Sequence, residues 1–251
     1  MLKRLWNWLF PPKNPPQPDL QVWLHDEFME AYNNGKRNFS NAILEGVDLT
    51  GIDLRGLNFK NSNLQMVINI ESSIQLRGAI LQGADLSSLN LHDLDLSSAS
   101  LKGANLEGVQ LSCANLKGAN LSKANLKGAS LSYVNLAGAN LEKADLESAE
   151  IGHGVLSEVS LSGASLVSAN LAGADLEGAD LAKANLNAAN LTWANLKSAN
   201  LAKTNLSQAN LDRSDLKHSN LKDAQNVDLK NVDVRLPSGY YSEILKESEA
   251  R

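Results

Sequence analysis

The chain has 251 residues, enough for one or two ordinary domains, but aromatic residues make up only 5% of it. Its formal charge of −5, from 23 basic and 28 acidic side chains, gives solubility without a strong field and demands neither nucleic acid nor a strongly basic partner. A single cysteine, Cys113, excludes an internal disulfide framework and a multi-thiolate metal site, and it fits a reducing compartment.

Residues 1–10 carry Lys3 and Arg4 beside Leu5, Trp6, Trp8, Leu9 and Phe10. The apolar run is interrupted by Asn7 and meets Pro11 and Pro12 in place of a small-residue cleavage site, so the segment is expected to be retained, not removed as a signal peptide. No stretch reaches the roughly 20 apolar residues of a membrane span. These ten residues have the makings of a weak interfacial membrane contact, the plain alternative being an ordinary tail. The expected location is the cytoplasm, peripheral at a membrane only if residues 1–10 make that contact. Residues 11–18 hold five of the six prolines and read as a polyproline-like spacer of about 25 Å at 3.1 Å per residue.

Residues 19–41 read as an N-terminal cap and lead-in. Asp19 is the expected helix N-cap, with an apolar face of Leu20, Trp23, Leu24, Phe28 and Ala31 and Gly35 as the stop. Such a helix would cover the open end of the segment that begins at residue 42.

That segment is a repeat. From Leu76 to Leu221 every fifth residue is Leu, Ile151 excepted, and two places before each stands a small or aliphatic residue, usually Ala. Asn, Asp or Ser lies between them in most units. An earlier block, Leu44, Leu49, Leu54, Phe59 and Leu64, carries the same unit two residues out of phase. Centres at Leu64, Ile70 and Leu76, with Ile68 and Ile74 upstream, would absorb the offset as two one-residue bulges. A period of five suits neither a helix at 3.6 nor a plain strand at 2, but it does suit a coil that turns a corner every five residues. Two side chains per side then point inward and the other positions form the bend. Thirteen glycines fall two residues after a centre, where a turn takes a positive φ.

The A-(N/D)-L-x-x run over about residues 42–236 resembles the pentapeptide-repeat family. That resemblance implies an all-β fold, a right-handed quadrilateral β-helix with twenty-residue coils about 4.8 Å apart. Stacking supplies the core that one coil alone cannot make, and the outward Asn and Asp are expected to form ladders. The lead-in Tyr32-x-x-Gly35-x-Arg37-x-Phe39 is similar to that of many cyanobacterial members. Leu229 and Val234, with Val227 and Val232 upstream, resume the unit near the end. Residues 237–251 read as a C-terminal helix and tail, so that short helices close both ends. Ser238 heads this helix through Lys246, and Tyr240, Tyr241, Ile244 and Leu245 either cover the last coil or pair two chains as a homodimer.

No catalytic constellation appears: the four histidines lack metal-ligand spacing, and no phosphate-binding loop, nucleophile elbow or HExxH motif is present. No cofactor and no enzymatic activity are expected. Read in twenty-residue columns, the surface has two candidate interfaces. One runs Asp93, Cys113, Tyr133, His153, Gly173, Trp193, Arg213; the other is a basic stripe of Lys123, Lys143, Gly163, Lys183 and Lys203. The step at Gly154 and Val155 departs from the unit and suggests a local bend or an apolar spot. The leading expectation is a non-catalytic protein-interaction scaffold with an unidentified protein partner. The resemblance supplies an alternative, a duplex-DNA mimic that regulates DNA gyrase. Such mimics are strongly acidic, whereas residues 81–225 here hold 15 acidic and 11 basic side chains.

Overall fold

The structure is a computed structural model and describes residues 20–68, 74–229 and 233–240. The repeating block is a right-handed, four-sided β-helix of the expected kind. Each side of a coil is only five residues long, so inter-coil pairing appears as a long series of single parallel bridges twenty residues apart, such as Asn105↔Asn125 and Asn125↔Asp145.

The unit explains itself through its backbone hydrogen bonds. Around Leu101, the Leu101 N–H donates to Asn120 O at 2.7 Å and the Gly103 N–H to Ser122 O at 2.9 Å, both in the next coil. The Asn105 N–H donates back to Ala84 O at 2.9 Å, and the Ala104 N–H closes the corner on Leu101 O at 3.0 Å. One N–H per side remains, that of the first corner residue. The Asn or Asp of the same unit, two residues upstream, accepts it: the Lys117 N–H reaches Asn115 Oδ1 at 3.2 Å. This local side-chain acceptor is why the middle position favours Asn and Asp. Asn does a second job. Asn125 Nδ2 donates to Asn105 Oδ1 at 3.1 Å, and Asn105 Nδ2 to Asp85 Oδ1 at 3.0 Å, which builds the expected ladder.

The inward side chains form one continuous core in which the central Leu and upstream Ala residues are almost wholly buried. Burying each Leu contributes about 2 kcal/mol, and repetition makes the sum large. Where a hydroxyl replaces Ala it is satisfied at once: Thr204 Oγ1 donates to Leu181 O at 2.6 Å, and Ser214 and Ser219 donate to Leu211 O and Leu216 O. Gly154 stays inward, and a Cβ there would stand 2.9 Å from Leu156 Cδ1. The bridges Asn135↔Val155 and Val155↔Asp175 keep the twenty-residue step, so there is no bend at this point, only an exposed Val155.

The phase change is organised differently from the expectation. Val67, not Ile68, is buried, while Ile68 is exposed and bridges to Asp48. The bridge offset is 20 at Asp48↔Ile68 and 22 at Asp53↔Gln75. Both extra residues therefore lie between Ile68 and Gln75 on a single side, since an inward Ile68 would have cost the Asp48 bridge. Ile74 is buried as expected, whereas Ile70 lies outside the described residues.

The N-terminal cap also begins differently. Strand β1 (Gln21–Trp23) pairs in parallel with β2 (Ala42–Leu44), and helix α1 (His25–Asn33) lies between them. The helix thus starts at Leu24 and not at Asp19, because residues 21–23 satisfy the open edge of the first coil. As the N-cap residue, Leu24 turns outward and is exposed. Phe28, Phe39, Phe59 and Trp23 pack into an aromatic plug, with Phe28 and Phe39 centroids 4.6 Å apart. Gly35, at φ 86, ends the helix as expected.

At the far end, a 3-10 turn (Leu221–Asp223) interrupts the repeat. Arg235 bridges to Asp215, which places Val234 in the upstream inward position and Leu236 at the centre, two residues from the register the sequence suggested. A register centred on Val234 would leave Asp215 without this bridge. Tyr240 is buried against the core. Val232, the rest of the C-terminal segment with its helix and dimer expectations, Asp19, the proline spacer and the membrane-contact residues 1–10 lie outside the described residues. Among the described residues no helix is long and apolar enough to cross a membrane.

Candidate functional site

Both candidate columns occupy one structural position, the second residue of the corner turn. From Gly78 to His218 every such residue has a positive φ, and no Val, Ile or Thr stands there. The left-handed conformation costs a non-glycine residue roughly 1–2 kcal/mol, more for β-branched side chains. The columns therefore run along corners of the rod and not along its flat sides.

The first corner holds Asp93, Cys113, Tyr133, His153, Trp193 and Arg213 at φ values of 58–62, with Gly173 at 66. Tyr133 and Trp193 are 62% and 63% exposed, the most exposed large apolar side chains among the described residues. They are not free-standing. Tyr133 stacks on His153 with centroids 5.3 Å apart and planes inclined by 14°, and Arg213 lies over the Trp193 ring at 4.7 Å. Gly173 separates the two pairs and leaves room for the His153 ring, since a Cβ at Gly173 would meet His153 Nδ1 at 2.6 Å. The corner ends in a groove of about 440 Å³ lined by Trp193, Lys197, Arg213, Asp215, Asp233 and Arg235. In it Asp215 faces Arg235 at 3.3 Å and Lys197 at 3.6 Å. Burial pushes the Asp215 carboxyl up, but the Lys217 N–H together with Arg235 and Lys197 outweighs burial and holds it below the usual carboxylate range.

The second corner holds Lys123, Lys143, Lys183 and Lys203, all exposed, and a Cβ at Gly163 would meet Lys143 Cγ at 3.5 Å. Among the described residues no ion pair engages these lysines. The two corners are ten residues apart, half of a twenty-residue coil, and so lie diagonally opposite. They cannot act as one site on a flat partner.

Reading the columns alone misses His92, the first residue of the turn that ends in Asp93. The structure brings it together with Asp93 and Cys113 even though the histidines have no metal-ligand spacing along the chain. Reading both turn residues of each corner would have found it.

The family model for pentapeptide repeats matches the chain in eight copies, over residues 38–67, 72–108, 110–147, 155–192 and 189–235. Among solved structures the chain is similar to HetL, a pentapeptide repeat protein involved in heterocyst differentiation regulation from the cyanobacterium Nostoc sp. strain PCC 7120. The identity is 30% over 79% of this chain and 95% of that one, with a TM-score of 0.35. It is also similar to a second Nostoc pentapeptide repeat protein, alr5209, at 37% identity over 41% of this chain and 84% of that one, with a TM-score of 0.37. QnrB1, a plasmid-mediated fluoroquinolone resistance protein, matches at 19% identity over 83% and 96% of the two chains, with a TM-score of 0.38. No curated protein matches the chain closely enough to count as a relative.

Proposed function

The chain belongs to the pentapeptide-repeat family, and from that premise we propose that it is a non-catalytic interaction rod whose partner-binding element is the aromatic corner. The observation that carries this reading is the pair Tyr133 and Trp193, exposed at 62% and 63% on backbone that disfavours any side chain. A solenoid has no structural use for large rings there, because Gly or Ser fills the same position elsewhere at no cost to the core. The left-handed backbone is common to every corner, so it is the two exposed rings, which the core does not require, that single out this one. Large aromatic side chains beside Arg are the residues that dominate binding at protein interfaces.

The charge layout favours this reading over DNA mimicry. A mimic needs one continuous acidic face, and Lys123, Lys143, Lys183 and Lys203 put positive charge along one corner of the rod between residues 123 and 203. The test is capture of the partner from a native-host extract by the intact chain and by the Tyr133→Ala/Trp193→Ala variant. Loss of one captured species by the variant, at unchanged thermal stability, supports the reading.

A further inference from the structure

One cluster among the described residues unites three metal-ligating chemistries, at the end of the aromatic corner nearest the N-terminus. We propose that His92, Asp93 and Cys113 form a surface site for a single transition-metal ion of the zinc class. Asp93 and Cys113 hold the same left-handed turn position in adjacent coils, at φ 62 and 61. The Asp93 N–H donates to Ser112 O at 3.2 Å, which fixes one turn against the other. His92 is the neighbouring turn residue, and its own N–H is held by Asn90 Oδ1 at 3.1 Å. The backbone of all three donors is thus set by the solenoid before any ion arrives.

His92 Nε2 stands 3.2 Å from Asp93 Oδ2, and one ring nitrogen of His92, one carboxylate oxygen of Asp93 and Cys113 Sγ all lie within 4.8 Å of one another. Tetrahedral zinc, with bonds of about 2.0–2.3 Å, spaces its ligand atoms roughly 3.3–3.8 Å apart. All three side chains are exposed, so rotation about their side-chain bonds closes the remaining distance without moving the backbone. The donor set is selective. A thiolate with an imidazole and a carboxylate suits zinc, whereas magnesium and calcium prefer oxygen alone. Coordination releases the Cys113 thiol proton to solvent, and three protein donors leave a fourth position open. The site needs no partner and is independent of the interaction reading.

The tag-free full chain, kept reduced, is titrated with cobalt(II) chloride, reading the thiolate-to-cobalt charge-transfer absorption and then its loss on adding zinc. Cys113 is the only thiol, so the band reports this position alone. One ion per chain is expected. Cys113→Ser should abolish the band, and His92→Ala and Asp93→Asn should each weaken binding by at least the roughly tenfold that even outer-shell changes cost. The variants should keep the fold, since Ser88 and Asn61 already occupy the turn position of Cys113 and Asp93, and Ala137 that of His92; thermal melts verify it. Absence of the band, or binding unaltered in His92→Ala and Asp93→Asn, would reduce the cluster to a surface thiol beside an ion pair and overturn the proposal.

Discussion

The imidazole of His153 lies over Gly173, where a Cβ would stand 2.6 Å from Nδ1 and 2.7 Å from Cε1. One coil earlier Tyr133 stacks on the same ring. The missing side chain at Gly173 is therefore part of how the aromatic corner is built. Gly173→Ala should displace His153 and reduce the ring-current shift that Tyr133 imposes on its Cε1–H in NMR spectra. Gly128→Ala is the matched control, with a left-handed φ of 60 and nothing within 4 Å of the added Cβ. Both substitutions should cost about 1–2 kcal/mol through the backbone alone. If the His153 signal moves equally in both, or in neither, the glycine has no role in the stack.

The register of inward and outward positions is tested by neighbours. Ala144 is 2% exposed, and Lys143 beside it is a corner residue at φ 58. Ala144→Arg should unfold the rod, because a buried unpaired charge has neither room nor partner. Lys143→Arg should stay within about 0.5 kcal/mol of the parent. Circular dichroism melts of the two proteins separate these outcomes, and equal tolerance would contradict the register.

Most of this architecture was legible in the sequence, because a solenoid has one local rule and repeats it. The Leu and Ala spacing gave the core, and Gly at the corners gave the left-handed turn. What was hidden depends on competition between neighbouring segments. Residues 21–23 have the apolar spacing of a helix, yet an open sheet edge beside them makes them β1. Val67 and Ile68 are equally apolar, and only the bridge to Asp48 decides which turns inward. The columns were legible, and so was their place on the bend, since they stand two residues after a centre, in the slot where the glycines gather. His92 was missed because it is the first residue of its turn, outside the column, and its partner Cys113 is adjacent only after a full coil has closed.

The ladder position has a measurable energetic role. Asn125 Oδ1 accepts the Lys127 N–H at 3.2 Å, and Asn125 Nδ2 donates to Asn105 Oδ1 and to Glu107 Oε2. Asn125→Ala should cost about 1–2 kcal/mol in a denaturant titration. Asn125→Ser should cost less, because the hydroxyl recovers part of the local turn bond. A larger loss for Ser than for Ala would mean that the local acceptor is unimportant.

Acid should act on the C-terminal end of the rod through Asp215. Its carboxyl titrates below the usual range in the folded state, so its contribution is full above the unfolded carboxylate value and is lost as pH falls through the lower folded value. Asp215→Asn keeps an oxygen for the Lys217 N–H but removes the charge facing Lys197 and Arg235. At neutral pH the variant should be less stable by about 1 kcal/mol, a small figure because Arg235 is largely exposed. The difference should close in strong acid. A gap that stays constant across the pH range would place the effect in packing and not in charge.

The interaction reading is tested most directly by titrating the captured partner against four proteins: the parent, Tyr133→Ala, Trp193→Ala, and Lys143→Ala at the diagonally opposite corner. Each aromatic substitution should weaken binding by about 1–3 kcal/mol, the usual loss at an interface anchor, with thermal stability unchanged. Lys143→Ala should bind as the parent does. Equal affinity across all four proteins, or a loss confined to Lys143→Ala, would contradict the assignment of partner binding to the aromatic corner.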